Sequence, residues 1–319
     1  MLPSPPPARS VRWREHTRTM DATAVFEAQR QRLFGIAYRM LGSVADADDI
    51  VQDAWVRWSK VDHATIDSAP AFLTTVTSRL ALDRLKSAQS RRETYVGPWL
   101  PEPLATADAE SPESAAVMSE SVMLGFLAVL ERLGPVERAV FVLREVFDVS
   151  YGEVAQIVDR SEDNCRQIAR RARDHVRAER PRVDPDPDRD RRLLDAFVLA
   201  IASGEASQLQ QLLADDVVLL SDGGAAVRAA RHPIIGVDRV TRFLLGLARN
   251  PQADDVSLTH AMVNGQLSLV VERPGEPTSL FALEPGASSD EVARIFVLRN
   301  PDKLDQVLPV ATEGQALEF

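Results

Sequence analysis

The stretch that most constrains the fold covers residues 150–177, which have the pattern of two helices joined by a tight turn. The turn falls near Asp159–Ser161, where the Ser161 hydroxyl can cap the second helix by accepting from a free backbone N–H. The second helix has an apolar face and an arginine face. One face can therefore pack on a partner helix while the other offers donors to phosphates and base edges.

The arginine face has an unusually regular spacing. At about 100° per residue, Arg166, Arg170, Arg173 and Arg177 lie within roughly 60° of one another. The acids Glu162 and Asp163 fall in the first turn, where the helix N-terminus favours negative charge. The pattern leaves two interpretations open, an ordinary amphipathic helix with a solvated arginine face and a DNA-recognition helix.

Composition excludes several classes of protein. The 319 residues are 45% apolar and 26% charged, and the five histidines and one cysteine show no metal-ligand spacing, so we expect no metal and no cofactor. No apolar run approaches the ~18 residues of a membrane span, and a single cysteine favours a reducing cytoplasm. Residues 1–185 carry 25 Lys and Arg against 27 Asp and Glu, whereas residues 186–319 carry 12 against 20. Local basic clusters can therefore bind nucleic acid although the chain is acidic.

A helix predicted over residues 45–60 presents a row of carboxylates. Asp46, Asp49 and Asp53 fall within roughly 60° on a face away from its apolar side. Because like charges repel, a fold tolerates such a row in water or opposite a basic partner. The row is therefore either a solvated face or a docking surface for a basic protein element.

The next predicted helix, from Pro70 to about Gln89, has a basic outer face that continues beyond its end. The polar residues of this segment that can meet DNA are Arg79, Arg84, Lys86, Arg91, Arg92 and Tyr95. Cations beside a tyrosine suit a DNA strand, through phosphate contacts and base stacking. Cations at a helix C-terminus are also favoured by the helix dipole alone.

The change in periodicity along the chain predicts several domains. Helical patterns dominate up to residue 180, among them 21–42, 112–133 and 135–147. After a Pro- and Asp-rich segment four helical patterns follow, the last over 301–308, together with six strands, the second near 225–231. Helices first and mostly antiparallel strands later indicate a separate α+β domain. The predicted segments are a disordered extension (1–20), a helical domain (21–95), a linker (96–111), a second helical domain (112–180), a linker (181–189), the α+β domain (190–310) and a tail (311–319). Met20 directly precedes a helical pattern and is an alternative start of translation.

Two segments in the helical part resemble bacterial sigma factors. Residues 33–43 (Leu-Phe-Gly-Ile-Ala-Tyr-Arg-Met-Leu-Gly-Ser) and 46–58 (Asp-Ala-Asp-Asp-Ile-Val-Gln-Asp-Ala-Trp-Val-Arg-Trp) resemble region 2, and residues 150–177 resemble the helix-turn-helix of region 4. With only these two regions, the chain resembles the extracytoplasmic-function (ECF) group.

Three further motifs resemble the SigJ-like subgroup of this family. They are residues 99–103 (Trp-Leu-Pro-Glu-Pro), 221–224 (Ser-Asp-Gly-Gly) and 300–304 (Asn-Pro-Asp-Lys-Leu). The subgroup carries a C-terminal SnoaL-like domain, a cone-shaped α+β barrel. It usually has Asp-Gly-Gly-Gly-Lys where residues 222–226 here are Asp-Gly-Gly-Ala-Ala, so a contact made by that lysine is in question.

The resemblance implies an alternative sigma factor that binds core RNA polymerase and directs initiation at promoters through −10 and −35 recognition. It implies contacts with the β′ clamp helices for Asp46, Asp49, Gln52, Asp53 and Trp55, and a β-flap contact for region 4. It implies −10 contacts for Arg79, Arg84, Lys86, Arg91, Arg92 and Tyr95. It implies −35 contacts for Arg166, Gln167, Arg170 and Arg171. It implies contacts between the C-terminal domain and the sigma regions for Trp99, Leu100, Pro101, Asp222, Gly223, Gly224, Asn300, Pro301, Asp302 and Lys303.

The C-terminal domain leaves a second function class open. SnoaL-like relatives include cyclases and isomerases that use an Asp or His base, so the alternative is such an enzyme, or a ligand sensor, fused to a DNA-binding module. His232 and His260 are candidates by residue type only, and a lone histidine usually has a structural role. Cys165 lies on the apolar face, which disfavours a reactive thiolate. We therefore expect no catalysis, and regulation of the sigma regions by an intramolecular contact.

Overall fold

The computed structural model describes residues 22–92, 95–105, 123–179, 186–248, 256–273, 275, 278–286, 290–304 and 307. The predicted extension 1–20, the tail 311–319 and the first half of a helix predicted over residues 112–133 lie outside these ranges. The helices of the N-terminal part are α1 (Ala22–Leu41), α2 (Val44–Trp58), α3 (Ala69–Arg92), α4 (Leu124–Leu130), α5 (Pro135–Phe141), α6 (Tyr151–Val158) and α7 (Glu162–Glu179). No helix among the residues described is long and apolar enough to cross a membrane.

Helices α1, α2 and α3 pack against one another as a three-helix unit, as their apolar periodicity predicts. Gly42 ends α1 with φ of +66°, a left-handed conformation that favours glycine at a helix C-terminus. Ser43 then caps α2, its hydroxyl accepting from the N–H of Asp46 at 3.2 Å. The residues buried together in this unit are Phe26, Leu33, Val51, Ala54, Trp58 and Leu73.

Helices α6 and α7 form the helix-turn-helix that residues 150–177 predict. Ser150 and Glu153 make a reciprocal capping box at the start of α6. Asp159 ends that helix with φ of +55°, and the Ser161 hydroxyl accepts from the N–H of Asn164 at 3.3 Å in front of α7. The apolar face of α7 is buried, and its members are Cys165, Ile168, Ala169, Ala172 and Val176.

The two helical units share one hydrophobic core. Leu82 and Leu85 of α3 belong to the same buried cluster as Leu143, which follows α5, and Val154 of α6. Leu143 lies in a π-helical turn (Val142–Val146). The helix predicted over residues 135–147 therefore changes its hydrogen bonding after Phe141. The first and second helical domains are therefore packed together rather than held apart by the linker.

The C-terminal part is an α+β domain, which confirms the predicted class. Its elements are α8 (Pro187–Ser203), α9 (Ala206–Leu212), β1 (Leu213–Asp222), β2 (Ile234–Ile235), α10 (Val237–Ala248), β3 (Ser257–Val263), β4 (Gln266–Glu272), β5 (Ser279–Pro285) and β6 (Val292–Leu298). They form a six-stranded sheet in the order β2-β1-β6-β5-β4-β3. All neighbouring strands are antiparallel except β1 and β6, which are parallel.

The strand predicted near 225–231 is wrong. Residues 223–233 form turns and bends, and the second strand is the two-residue β2, which pairs Val218 with Ile235 and Leu219 with Ile234. Residues 225–231 (Ala-Ala-Val-Arg-Ala-Ala-Arg) do not alternate between apolar and polar, and Gly223 and Gly224 start a turn directly before them. The helix predicted over 301–308 is a single 3₁₀ turn, Pro301–Lys303, among the residues described.

The sheet has two buried faces, and the N-terminal part covers one of them. Leu269, Phe281 and Val297 face α8 and α10. Residues on the opposite face pack against Leu100 of the linker and Leu124 of α4. An antiparallel sheet can leave one face exposed to water. Here that second face is an interdomain interface.

Replacing Gly223 by alanine is expected to destabilise the C-terminal domain. An alanine Cβ there would lie 2.3 Å from the backbone oxygen of Val227. This steric clash can be relieved only if the backbone of the turn moves. We expect a loss of about 1–3 kcal/mol, typical of overpacking. The matched control is Gly246→Ala in α10, where a Cβ meets nothing within 4 Å; it should stabilise by about 0.5–1 kcal/mol. Calorimetric melting of the two variants checks this, and a melting temperature of Gly223→Ala at or above wild type would contradict it.

Candidate functional site

The carboxylate of Asp222, at the C-terminal end of β1, is fully buried where the C-terminal domain meets the linker. The ammonium of Lys303 lies 2.7 Å from its Oδ2, and the backbone N–H of Leu100 donates to the same oxygen at 2.8 Å. The Tyr95 hydroxyl donates to Oδ1 at 2.6 Å, and the N–H of Gly224 at 3.0 Å. Donors from three chain segments thus satisfy one buried charge. We call these five residues the Asp222 junction.

The turn after Asp222 is built so that its backbone returns to the carboxylate. Gly224 has φ of +62°, and a Cβ there would lie within 2.9 Å of the Asn300 side chain. Ala225 and Ala226, which replace the glycine and lysine usual in the SigJ-like subgroup, are exposed. Since Lys303 supplies the cation at Asp222, the departure at residue 226 leaves the buried charge paired.

Tyr95 and Asn300 extend the junction. The Asn300 side-chain amide donates to the Tyr95 hydroxyl at 3.1 Å, and its Oδ1 accepts from the N–H of Asp302 at 3.2 Å, capping the 3₁₀ turn. Burial and the hydrogen bond to Asp222 raise the pKa of Tyr95, so its hydroxyl remains a donor at neutral pH. The sequence predicts a DNA contact for Tyr95, whereas in this arrangement its hydroxyl faces the C-terminal domain.

The aromatic part of the linker covers Lys303. The Lys303 ammonium lies 4.0 Å from the centre of the Trp99 ring and 5.3 Å from that of Tyr95, a cation–π arrangement. The Trp99 ring also closes over Gly42, where a Cβ would lie 2.8 Å from it. Leu100 and Pro101 are buried beside it, whereas Pro301 and Asp302 are exposed on the turn. The predicted interdomain residues are therefore brought together around Asp222 and Lys303.

The linker also attaches to the acidic helix. Oε2 of Glu102 accepts from the N–H of Val44 at 2.8 Å and from the Ser43 hydroxyl at 3.0 Å. The carboxylate therefore sits at the N-terminus of α2, where unpaired N–H groups and the helix dipole favour negative charge. One five-residue motif thus connects the buried Asp222 to the first turn of the helix that carries Asp46, Asp49 and Asp53.

Asn264 joins the C-terminal domain to the same region and was not among the predicted site residues. Its side-chain amide donates to the Tyr38 hydroxyl at 2.7 Å, and its Oδ1 accepts from the N–H of Leu104 at 2.9 Å. Tyr38 in turn donates to the backbone oxygen of Glu102 at 2.7 Å. The Asn264–Gly265 pair between two strands indicates a hairpin turn, but no local signal could have indicated its partners.

A second contact joins the sheet to the helix-turn-helix. Arg294 of β6 donates to the backbone oxygen of Glu179, at the end of α7. Glu284 of β5 pairs with Arg294 at 3.4 Å and lies so close to Gly125 that a Cβ there would meet it at 2.7 Å. These residues were also missed, because charged residues on a strand usually indicate a solvated face.

The acidic face of α2 is partly occupied by a cation of its own domain. Arg84 Nε lies 3.0 Å from Oδ1 of Asp46, and its Nη2 lies 3.6 Å from Asp49. The hydrogen bond with Asp46 raises the pKa of Arg84. Gln52 and Asp53 are exposed, and Trp55 makes an edge contact with Phe26. Asp46, Asp49 and Asp53 thus share one face with Arg84 lying on it, whereas Trp55 lies on the opposite side of α2, against Phe26.

The residues predicted for the −10 element are not all free to meet DNA in this arrangement. Arg79 donates to the backbone oxygen of Gln156 in α6 at 2.8 Å, which links the two helical units. Lys86 is exposed and lies 3.9 Å from Asp83. The side chains of Arg91 and Arg92 lie outside the described residues.

The arginine face of α7 divides into paired and open residues. Arg166 pairs with Glu162 at 3.1 Å, and its guanidinium lies 4.8 Å from the centre of the Tyr151 ring. Arg173 pairs with Glu145 at 2.7 Å, which raises the pKa of Arg173. Arg171 lies 4.0 Å from Glu137. The open polar residues of this face are Gln167, Arg170 and Arg177, which are exposed.

The residues considered for catalysis, metal binding and redox chemistry are dispersed. His232 is exposed on a turn, and Nε2 of His260 lies 3.6 Å from Asp195, with the His260 pKa lowered mainly by burial. Cys165 is buried, and burial raises its pKa. Within the ranges described, no three His, Cys, Asp or Glu side chains are grouped so that they could hold a metal ion.

Two sequence models match the helical parts of the chain. The model of Sigma-70 region 2 matches residues 25–91, which contain most of α1, all of α2 and nearly all of α3. The model of Sigma-70 region 4 matches residues 124–176, which contain the helix-turn-helix.

Full-length relatives extend the likeness through the C-terminal domain. The ECF RNA polymerase sigma factor SigJ of Mycobacterium tuberculosis is 39% identical over 286 residues, covering 87% of this chain and 91% of the relative. The probable ECF RNA polymerase sigma factor SigI of the same species is 32% identical, covering 89% and 94%. The crystal structure of M. tuberculosis SigJ superposes with a TM-score of 0.73 and 35% identity, covering 90% of this chain and 99% of that one. The chain belongs to the extracytoplasmic-function family of RNA polymerase sigma factors.

Proposed function

We propose that this alternative sigma factor is held closed by its own C-terminal domain and opens when core RNA polymerase binds it. The observation that carries the proposal is the 2.8 Å contact of Arg79 with Gln156, which joins regions 2 and 4. The −10 and −35 elements lie about 25 base pairs apart, or roughly 80 Å along B-form DNA at about 34–36 Å per turn. Regions in hydrogen-bond contact cannot reach both elements, so initiation requires their separation.

The C-terminal domain is suited to maintain the closed state because it contacts both regions at once. Asn264 and the linker attach it to region 2, and Arg294 attaches it to the end of α7 in region 4. The Asp222 junction fixes the linker between them. Binding of polymerase shifts the population toward the open state only if polymerase prefers that state.

Core binding is assigned to the acidic face of α2, whose partner is the basic surface of the β′ clamp helices. Asp46, Asp49, Gln52, Asp53 and Trp55 would form this contact. Arg84 and Asp46 are both partly exposed, and such pairs contribute about 0–1 kcal/mol. A positively charged partner can therefore displace Arg84 from Asp46 and Asp49, and the released Arg84 becomes available to DNA.

Promoter reading is divided between the two regions. Region 2 would contact the −10 element through Arg79, Arg84, Lys86, Arg91, Arg92 and Tyr95, the last after release from Asp222. Region 4 would contact the −35 element through Arg166, Gln167, Arg170 and Arg171, and the β flap through its remaining surface. The exposure of Gln167 and Arg170 supports their assignment to base edges.

The C-terminal domain is assigned a regulatory role without catalysis, and the protein is assigned to the cytoplasm with its polymerase. His260 and Asp195 are too far apart for a hydrogen bond at 3.6 Å, which argues against an oriented acid–base pair. The interdomain contacts of the sheet support regulation, since Leu100 of the linker and Leu124 of α4 share a buried cluster with one face of it.

Reversing the charge of Asp49 is expected to abolish core binding. Its side chain is 66% exposed, so Asp49→Arg should leave the fold intact while placing like charge against the clamp helices. We expect affinity for core polymerase to fall roughly thirtyfold or more, since a lost interfacial charge pair costs about 2–5 kcal/mol. Fluorescence anisotropy with labelled sigma factor measures this. Asp67→Arg, in the exposed loop after α2, is the control. Equal affinities of the two variants for core polymerase would contradict the assignment of the acidic face to core binding.

Replacing Lys303 by methionine is expected to loosen the C-terminal domain. The change leaves the Asp222 charge buried without its cation, a situation that costs about 3–5 kcal/mol. Amide hydrogen exchange in residues 95–105 should accelerate at least about a hundredfold if local opening carries that cost. Mass spectrometry of the full chain measures the exchange. Lys60→Met, at an exposed site after α2, should leave it unchanged, and unchanged exchange in Lys303→Met would contradict the junction's role.

Truncating Arg170 tests the recognition helix. Arg170→Ala should reduce transcription from a cognate promoter by about ten- to a hundredfold and relax preference at one −35 position, because a lost base contact costs about 1–3 kcal/mol. Arg177→Ala should weaken binding about equally on all sequences. In vitro transcription with mutated −35 elements separates the two outcomes, and identical promoter preference of both variants would overturn the assignment.

A further inference from the structure

The C-terminal domain contains an apolar cavity that neither the sigma regions nor the Asp222 junction uses. It has a volume of about 330 Å³ and lies between the sheet and helices α8 and α10. Its walls include Phe197 and Leu244 from the helices and Leu258, Leu269 and Phe281 from the strands. This volume is at the lower end of the roughly 300–1,000 Å³ range of small-molecule sites.

Two guanidinium groups line one end of this cavity. Arg273, directly after β4, lines the cavity together with Leu269 and Val271, and Arg299 directly follows β6. Ser279 of β5 lies at this end as well. Alternation along the strands thus directs three polar side chains to one end of an otherwise apolar chamber.

This end of the cavity carries positive charge. Among the described residues that line the cavity, none is Asp or Glu. Arg299 donates to the backbone oxygen of Arg228 at 3.1 Å. Arg273 donates to the backbone oxygen of Leu247 at 3.0 Å, but its Nε is buried and has no hydrogen-bond partner among the residues described. A buried charged donor without a partner is costly. An anionic acceptor at this end would remove that cost.

We propose that the cavity binds a small organic acid, with its carboxylate at Arg273 and Arg299 and its apolar body between the sheet and α8. A guanidinium can hold a carboxylate through two parallel hydrogen bonds. The apolar walls exclude a bare inorganic anion, because such an ion would lose its hydration without replacement. A neutral ligand of the same shape could accept a hydrogen bond from Arg273 but would not supply the stronger, charge-assisted one. The site does not depend on the proposed opening of the sigma regions.

Isothermal titration of the full chain tests the class of ligand. Octanoate is the probe, 1-octanol is the neutral analogue of equal length, and acetate is the acid without an apolar body. We expect saturable binding of about one octanoate per chain, with 1-octanol and acetate each weaker by about tenfold or more, since hydrogen bonds to charged groups contribute about 1.5–3 kcal/mol. Absence of octanoate binding, or equal binding of 1-octanol or acetate, would overturn the proposal.

Two variants locate the site. Arg273→Met should weaken octanoate binding by about tenfold or more, and Ala202→Phe, which adds a ring to the α8 wall of the cavity, should abolish it without touching the arginines. Arg239→Met, at an exposed position of α10 outside the cavity, is the matched control and should bind as wild type. Circular dichroism verifies the folding of each. Unchanged affinity in both cavity variants would overturn the assignment.

Discussion

The buried carboxylate of Asp222 is the constraint on which the interdomain arrangement depends. An ionised group with no solvent exposure is tolerated only when it is paired and fully hydrogen-bonded, and its partners here come from the linker, the 222–224 turn and the 301–303 turn. Moving any one of these segments would therefore leave the buried Asp222 carboxylate without one of its partners. This couples the position of the linker to the C-terminal domain more strongly than apolar packing of Leu100 alone would do.

The contacts that join regions 2 and 4 include two hydrogen bonds from arginines to backbone oxygens. Arg79 donates to Gln156 at an exposed site, and Arg138 donates to Arg39 at 3.0 Å in a buried site. Such a bond contributes about 0.5–3 kcal/mol, whereas breaking the Asp222–Lys303 pair costs about 3–5 kcal/mol. We therefore expect polymerase to separate the sigma regions first, while the linker and the C-terminal domain move as one body. The shared core of Leu82, Leu143 and Val154 sets the remaining resistance to opening.

Local patterns predicted most of the fold, and long-range contacts account for what they missed. Helical periodicity and caps located the helix-turn-helix, and the acidic and arginine faces appeared where predicted because both depend only on spacing within one helix. The strand predicted near 225–231 failed because Gly223 and Gly224 start a turn there and the residues that follow do not alternate between apolar and polar. The interdomain motifs came from family resemblance, but Asn264, Arg294 and Glu102 contact residues about 58 to 226 positions away. No pattern in a single sequence could pair them.

The central claim, that the free protein is closed and that core polymerase opens it, is tested most directly by one distance. Spin labels at Asp67→Cys in region 2 and Asp163→Cys in region 4, in a chain whose buried cysteine is replaced by Cys165→Ala, report that distance by pulsed electron paramagnetic resonance. The account predicts a single short distance in the free chain and a distinctly longer one in the complex with core polymerase. The same distance in both states would contradict it.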